Sequence, residues 1–168
     1  NILRALVCPV LLCVALIGAN ASTAIADPIE IEHERGTLRL DTPATRVATI
    51  NWSFTESVIA LGLDPVAIAD PQDYLDWVAK PDLPDSFVDL GQRSSPNLEA
   101  LRASNPDLII SVPDLGMSYE KLAEIAPVLE LQLFDGKRPA FETAREVFGK
   151  IAKGPACRDG MDIAIACK

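Results

Sequence analysis

Apolar and polar positions run along this chain in short blocks whose period keeps switching. Ile29 and Ile31, and then Leu38 and Leu40, occupy every second position on either side of Arg35-Gly36, which predicts a small β-hairpin. Val47-Ala48-Thr49-Ile50 predicts a short strand of the buried type. Ser53-Phe54-Thr55-Glu56 follows with the S-x-x-E spacing of a capping box, so a helix should open there and stop at Gly62, a residue suited to the left-handed position beyond a helix end. Pro65 to Ala69 predicts the next strand. Residues 47–69 therefore describe a compact βαβ unit with a parallel strand pair.

The pattern continues beyond that unit. Asp70 to Phe87 is rich in Pro and Asp but carries Tyr74, Leu75, Trp77 and Val78, which predicts a loop with a short amphipathic turn. Val88 to Leu90 is a brief strand, Ser95 and Pro96 are the cap and first residue of a helix ending near Asn105-Pro106, and Asp107 to Val112 is a third major strand. A helix over Ser118 to Ala126, an alternating edge strand over Leu129 to Leu133, and an amphipathic helix over Pro139 to Ala152 complete the series. The last helix has its stripe at Phe141, Ala144, Val147, Phe148 and Ile151. Strands alternating with capped helices predict an α/β, Rossmann-like fold: a mostly parallel sheet with flanking helices. No repeat of fixed period occurs, and the pattern breaks beyond Lys153.

Composition narrows the class. The 168 residues are 49% hydrophobic, enough for a core, and 15 Lys and Arg against 24 Asp and Glu give a net charge of −9. No basic run could neutralise a phosphate backbone, so nucleic acid is not an expected partner. The acidic residues are interleaved with Leu, Ile and Val and read as a solvated surface. The first residues have the form of an export signal: Arg4, an apolar run from Ala5 to Ile17, and an A-x-A site at Ala24-Ile25-Ala26, with cleavage expected before Asp27. The apolar run is shorter than a bilayer span, and neither Cys8 nor Cys13 has the small preceding residue of a lipoprotein acceptor. The expected map is a signal peptide over 1–26, one lobe over 27–152, and a divergent tail over 153–168. The expected compartment is the periplasm, where the remaining Cys157 and Cys167 are permitted to pair.

Ligands of open α/β sheets bind beyond the carboxyl ends of the strands. That rule selects Trp52 after the first buried strand, Trp77 on the loop after the second, Arg93 after the brief third, and Asp114 to Met117 after the next. Two indoles and a guanidinium at one rim suit a bulky, partly apolar ligand whose oxygens accept charge-assisted hydrogen bonds. The competing structural readings are packing for the tryptophans and, for Arg93, an ion pair with Asp89 or the capping of a carbonyl. His33 has no neighbour at metal-ligand spacing and is expected to be a solvated surface residue. No dinucleotide glycine fingerprint, phosphate loop or nucleophile elbow occurs, and His33 is the sole histidine, so an enzyme is not expected.

Two stretches carry a resemblance to a known family: Ala44 to Leu63, and above all Asp70 to Leu98, DPQDYLDWVAKPDLPDSFVDLGQRSSPNL. With NPDLII, EKLAEIAP and FDGKRP after them, they resemble periplasmic binding proteins for iron-siderophores, of the ferric hydroxamate (ferrichrome) type. The likeness covers about Arg46 to Ala152, the N-terminal lobe of a two-lobed fold joined by a helical linker. It implies a protein that binds a ferric siderophore and delivers it to an ABC permease and its ATPase, with no resident cofactor. It implies that Arg93 bonds the hydroxamate oxygens, that Trp77 and Trp52 line the pocket, and that Glu120 docks on the permease. The family's pocket tyrosine falls on Leu115 here, with Tyr119 one helical turn later as a substitute. The other implied readings are a truncated remnant of such a protein, or a binder of another chelate such as a corrinoid or haem. A trihydroxamate fills the six oxygen positions of ferric iron, so the scarcity of His and Cys does not count against the resemblance.

Overall fold

The computed structural model describes residues 27–154 apart from 79, 114–115, 117, 134–135 and 138–139. The export signal, Leu115, Cys157 and Cys167 all lie outside the described residues. The elements in chain order are β1 (Ile29–His33), β2 (Gly36–Leu40), β3 (Val47–Thr49), α1 (Trp52–Ala60), β4 (Ala67–Ile68), α2 (Pro71–Trp77), β5 (Val88–Asp89), α3 (Leu98–Ala103), β6 (Leu108–Ser111), α4 (Tyr119–Ala123), β7 (Val128–Glu130) and α5 (Ala140–Ile151). β1 and β2 form an antiparallel hairpin. The other five strands form a parallel sheet in the order β5-β4-β3-β6-β7. The chain starts at the centre, runs to one edge and returns to build the other half, so its direction reverses between β3 and β6. This is a doubly wound arrangement, and it agrees with the mostly parallel, Rossmann-like sheet expected from the alternation of strands and helices.

The strands read as continuous apolar runs because both faces of the sheet are covered. Val47, Leu108, Ile110 and Leu129 point into a core closed by the hairpin, α1 and α5, through Ile31, Leu38, Phe54, Val58, Val147 and Ile151. Ala48, Ile50, Ile109 and Val128 point the other way, against Leu101 of α3 and Leu122 of α4. Neighbouring residues of one strand thus serve opposite cores, as a period of two requires.

Several local expectations are corrected. Helix α1 is capped by Asn51, whose side chain accepts from the Ser53 N–H, so the Ser53–Glu56 box lies inside the helix. Helix α3 is capped by Asn97, accepting from the Glu99 and Ala100 N–H groups, and not by Ser95. In both cases the asparagine is the residue directly before the first helical turn, where its side chain reaches the orphan donors. Residues 71–77 form a helix with Pro71 at its start. β7 does lie at a sheet edge, but its three residues are all buried, because the hairpin turn covers one of its sides. Gly154, placed by the sequence pattern in the divergent tail, is packed: its carbonyl accepts from the Ala44 N–H at 2.9 Å, and a Cβ there would come within 3.2 Å of Leu108 and 3.3 Å of Ile31.

Candidate functional site

Because the five strands are parallel, their carboxyl ends share one rim. Asp70 leaves β4 in a left-handed conformation (φ 52°, ψ 49°), and its N–H donates to the Gly91 carbonyl at 2.8 Å, tying the loop after β4 to the loop after β5. Its carboxylate makes no bond to the start of α2. It accepts instead from Arg93 Nη1 at 2.7 Å, and Asp73, in the first turn of α2, accepts from the same nitrogen at 3.1 Å. The Asp70 side chain is only 11% exposed and that of Arg93 33%, so the guanidinium is held rather than free to sweep the solvent. Asp70, Asp73, Gln92, Arg93 and Ser94 line an open cavity of about 420 Å³. A second cavity of about 270 Å³ shares Asp70, Asp73 and Gln92 with it and adds Pro71, Gln72, Asp89 and Gly91.

Arg93 thus pairs with Asp70 and Asp73 and not with Asp89, the partner of the competing structural reading. Asp89 accepts from the Gly91 N–H at 2.8 Å, a local turn bond that points it away. The loop after β6 reaches the same place: a Cβ at Gly116 (φ 78°) would lie 3.3 Å from the Ser94 carbonyl. β4 and β3 stand between β5 and β6, so these two loops meet over the ends of the central strands, and the glycine permits both the approach and the backbone angle.

Trp52 is the first residue of α1, at the carboxyl end of β3, and is partly exposed. Trp77 is the last residue of α2 and 78% exposed, roughly 6 Å along the helix axis from Asp73. Neither indole is sealed in the interior, and neither belongs to the lining of the Arg93 cavity. Tyr119 and Glu120 open α4 after β6. The Tyr119 ring stacks at a tilt on His33, with centroids 6.2 Å apart, and lies under the Arg35 guanidinium at 5.4 Å. Glu120 is exposed; its own backbone N–H and then the Ser118 hydroxyl hold its carboxyl below the usual range.

His33 is not the solvated surface residue expected from sequence. Its Nδ1 accepts from the Glu130 N–H at 3.3 Å, and burial, opposed by the nearby Glu130, Glu32 and Glu34 carboxylates, lowers its pKa from 6.5. Glu130 ends β7 with its side chain 4% exposed and accepts from Arg35 Nε at 2.7 Å. Among the described residues no cluster of His, Cys, Asp and Glu could hold a metal ion, and no helix is long and apolar enough to cross a membrane.

The residues missed from sequence are the carboxylates that hold Arg93. Their signal was present: Asp70 and Asp73 stand three apart at the start of a Pro-initiated helix, the spacing that puts two side chains on one face. The Pro- and Asp-rich composition of residues 70–87 reads as a loop and masks that spacing.

Comparison with known proteins places the chain in a family. The family model described as "Periplasmic binding protein" matches residues 47–151. The chain belongs to the periplasmic binding protein family. Within it, the chain is 40% identical over 94 residues to the iron(3+)-hydroxamate-binding protein FhuD of Escherichia coli, covering 56% of this chain and 32% of FhuD. It is 36% identical over 119 residues to the Fe(3+) dicitrate-binding periplasmic protein FecB of the same organism, covering 66% of this chain and 37% of FecB. Among solved structures, the Desferal-bound siderophore-binding protein FhuD of Vibrio cholerae superposes with a TM-score of 0.57 at 35% identity, covering 64% of this chain and 44% of that one. The catecholate-siderophore binding protein VctP of Vibrio cholerae gives a TM-score of 0.65 at 25% identity over 77% of this chain and 46% of that one. The chain thus spans roughly a third to two fifths of the length of these curated relatives. The periplasmic binding protein fold agrees with the α/β architecture expected from sequence, and these relatives are named as binding proteins, in line with the expectation that the chain is not an enzyme.

Proposed function

We propose that this chain is the siderophore-binding lobe of the substrate-binding component of an ABC importer, that its ligand is a ferric hydroxamate, and that it works in the periplasm after export on a cleaved signal at residues 1–26. The observation that carries the reading is Arg93, a partly exposed guanidinium fixed at the wall of an open cavity on the carboxyl rim of a doubly wound sheet. A ferric hydroxamate presents oxygens already engaged by iron. A planar fork of donors suits them, and the exposed indole of Trp77 and the partly exposed indole of Trp52 suit the apolar remainder of such a ligand. The sequence similarity to FhuD favours hydroxamate over the citrate and catecholate ligands named for other relatives.

Titration of the chain with ferrichrome, followed by tryptophan fluorescence, tests the reading. Quenching that saturates is expected. Arg93→Ala should weaken affinity by roughly 10–100-fold, the loss of a charge-assisted pair of hydrogen bonds, with Arg93→Lys falling between because it keeps the charge but not the fork. A flat titration with the unaltered chain would overturn the proposal. Glu120, an exposed carboxylate held in its charged form, is proposed as the permease-docking group; Glu120→Arg should leave the titration unchanged and abolish association with permease-containing vesicles.

A further inference from the structure

We infer that Asp70 and Asp73 are specificity residues that make the Arg93 site select neutral or cationic ferric chelates and reject anionic ones; this rests on the ferric-siderophore reading above. An unpaired guanidinium at a cavity wall would attract any anion. Here one Arg93 nitrogen is shared by two carboxylates, at 2.7 and 3.1 Å, so the group at the wall carries one negative charge in excess. A third carboxylate, Asp89, lines the adjoining cavity, which also contains Asp70 and Asp73.

Two consequences follow. The attraction of Arg93 for a polyanionic chelate is cancelled at short range, and the excess carboxylate repels it, so discrimination arises from a repulsive element as well as from the attractive one. The guanidinium acts as a positioned set of donors, able to bond uncharged or iron-neutralised oxygens without capturing free anions. The left-handed backbone at Asp70 fixes the geometry. Asp and Asn tolerate that conformation, which lets its carboxylate leave the helix start and face Arg93.

The variants that isolate charge from shape are Asp73→Asn, at a half-exposed position, and Asp70→Asn, which preserves tolerance of the left-handed backbone. Each is titrated, with the unaltered chain, against three probes by tryptophan fluorescence: ferrioxamine B, a cationic ferric trihydroxamate; ferrichrome, a neutral one; and ferric dicitrate, an anion. The unaltered chain should bind the first two and bind ferric dicitrate far more weakly. Either variant should shift the ratio of dicitrate to ferrioxamine affinity by roughly tenfold toward the anion, the effect of deleting one unit charge at short range. High salt should shrink the difference between variant and unaltered chain. Equal weakening for all three probes would mean that the carboxylates only support the loop and would overturn the inference. Equal binding of all three by the unaltered chain would overturn it while leaving the siderophore reading intact. No binding of any probe would overturn that reading and this inference with it.

Discussion

His33 and Glu130 show how a few atoms set the behaviour of a surface. The Nδ1 of His33 accepts from the Glu130 backbone N–H, which requires that nitrogen to be unprotonated, and burial favours the same neutral form. Its folded pKa therefore lies below the unfolded value of 6.5. The unfolded chain binds the proton first, so stability from this group is fully present above pH 6.5 and is lost as pH falls through the folded value. Since His33 is the sole histidine, the thermal midpoint should fall between pH about 7.5 and about 5.5, and His33→Gln should flatten that part of the profile. A variant with an unchanged slope would assign the dependence to carboxylates. Tyr74 illustrates burial from the opposite side: its phenol is pushed up to about 12, chiefly by desolvation, and donates to the Pro81 carbonyl at 2.5 Å, pinning the loop that follows α2.

At the scale of elements, the short helices of this lobe depend on their ends, because few of their own hydrogen bonds are complete. Asn51 caps α1, and the Thr55 N–H also returns to the Asn51 carbonyl at 3.1 Å, so one residue closes the junction between β3 and α1. Asn51→Ala should cost about 1 kcal/mol in chemical denaturation. Ser53→Ala should cost less than half of that, since Ser53 lies within the helix and not at its cap. Equal losses would restore the capping box suggested by the S-x-x-E spacing. The same junction sets Trp52 at the rim, so the Asn51 variant should also perturb tryptophan emission.

At the scale of the whole molecule, the hairpin is fastened to the far edge of the sheet by contacts almost a hundred residues apart in sequence. The Glu34 N–H donates to the Glu130 carbonyl at 3.0 Å, and Arg35 neutralises the buried Glu130 carboxylate. Arg39, by contrast, pairs with Glu30 where both side chains are more than half exposed. Arg35→Ala leaves a buried charge without its partner and should lower the unfolding midpoint clearly, whereas Arg39→Ala should change stability by less than about 1 kcal/mol. Similar midpoints for the two variants would show that Glu130 finds solvent when Arg35 is removed.

The order of strands and helices was written in the sequence. Runs such as Val47 to Ile50 and Leu108 to Ser111 put mostly apolar residues, with only Thr49 and Ser111 polar, on both faces because both faces are buried, and Gly62, with φ 84°, stops α1 as its lack of a side chain allows. The rim position of Arg93 and Trp52 also follows from sequence, since parallel strands put every following loop at the same edge. What sequence left open was which of several nearby side chains meet. Arg93 had Asp89 four residues away, yet its partners are Asp70 and Asp73, some twenty residues back, because the pairing of β4 with β5 lays one loop against the other. Likewise, nothing near His33 in the chain announces Glu130; only the fold of the hairpin over β7 brings them together. Periodicity determines which face of an element is buried, because burial acts on each residue separately. Partner choice among charged side chains is decided by tertiary packing, because it depends on the distance between elements that sequence spacing does not encode.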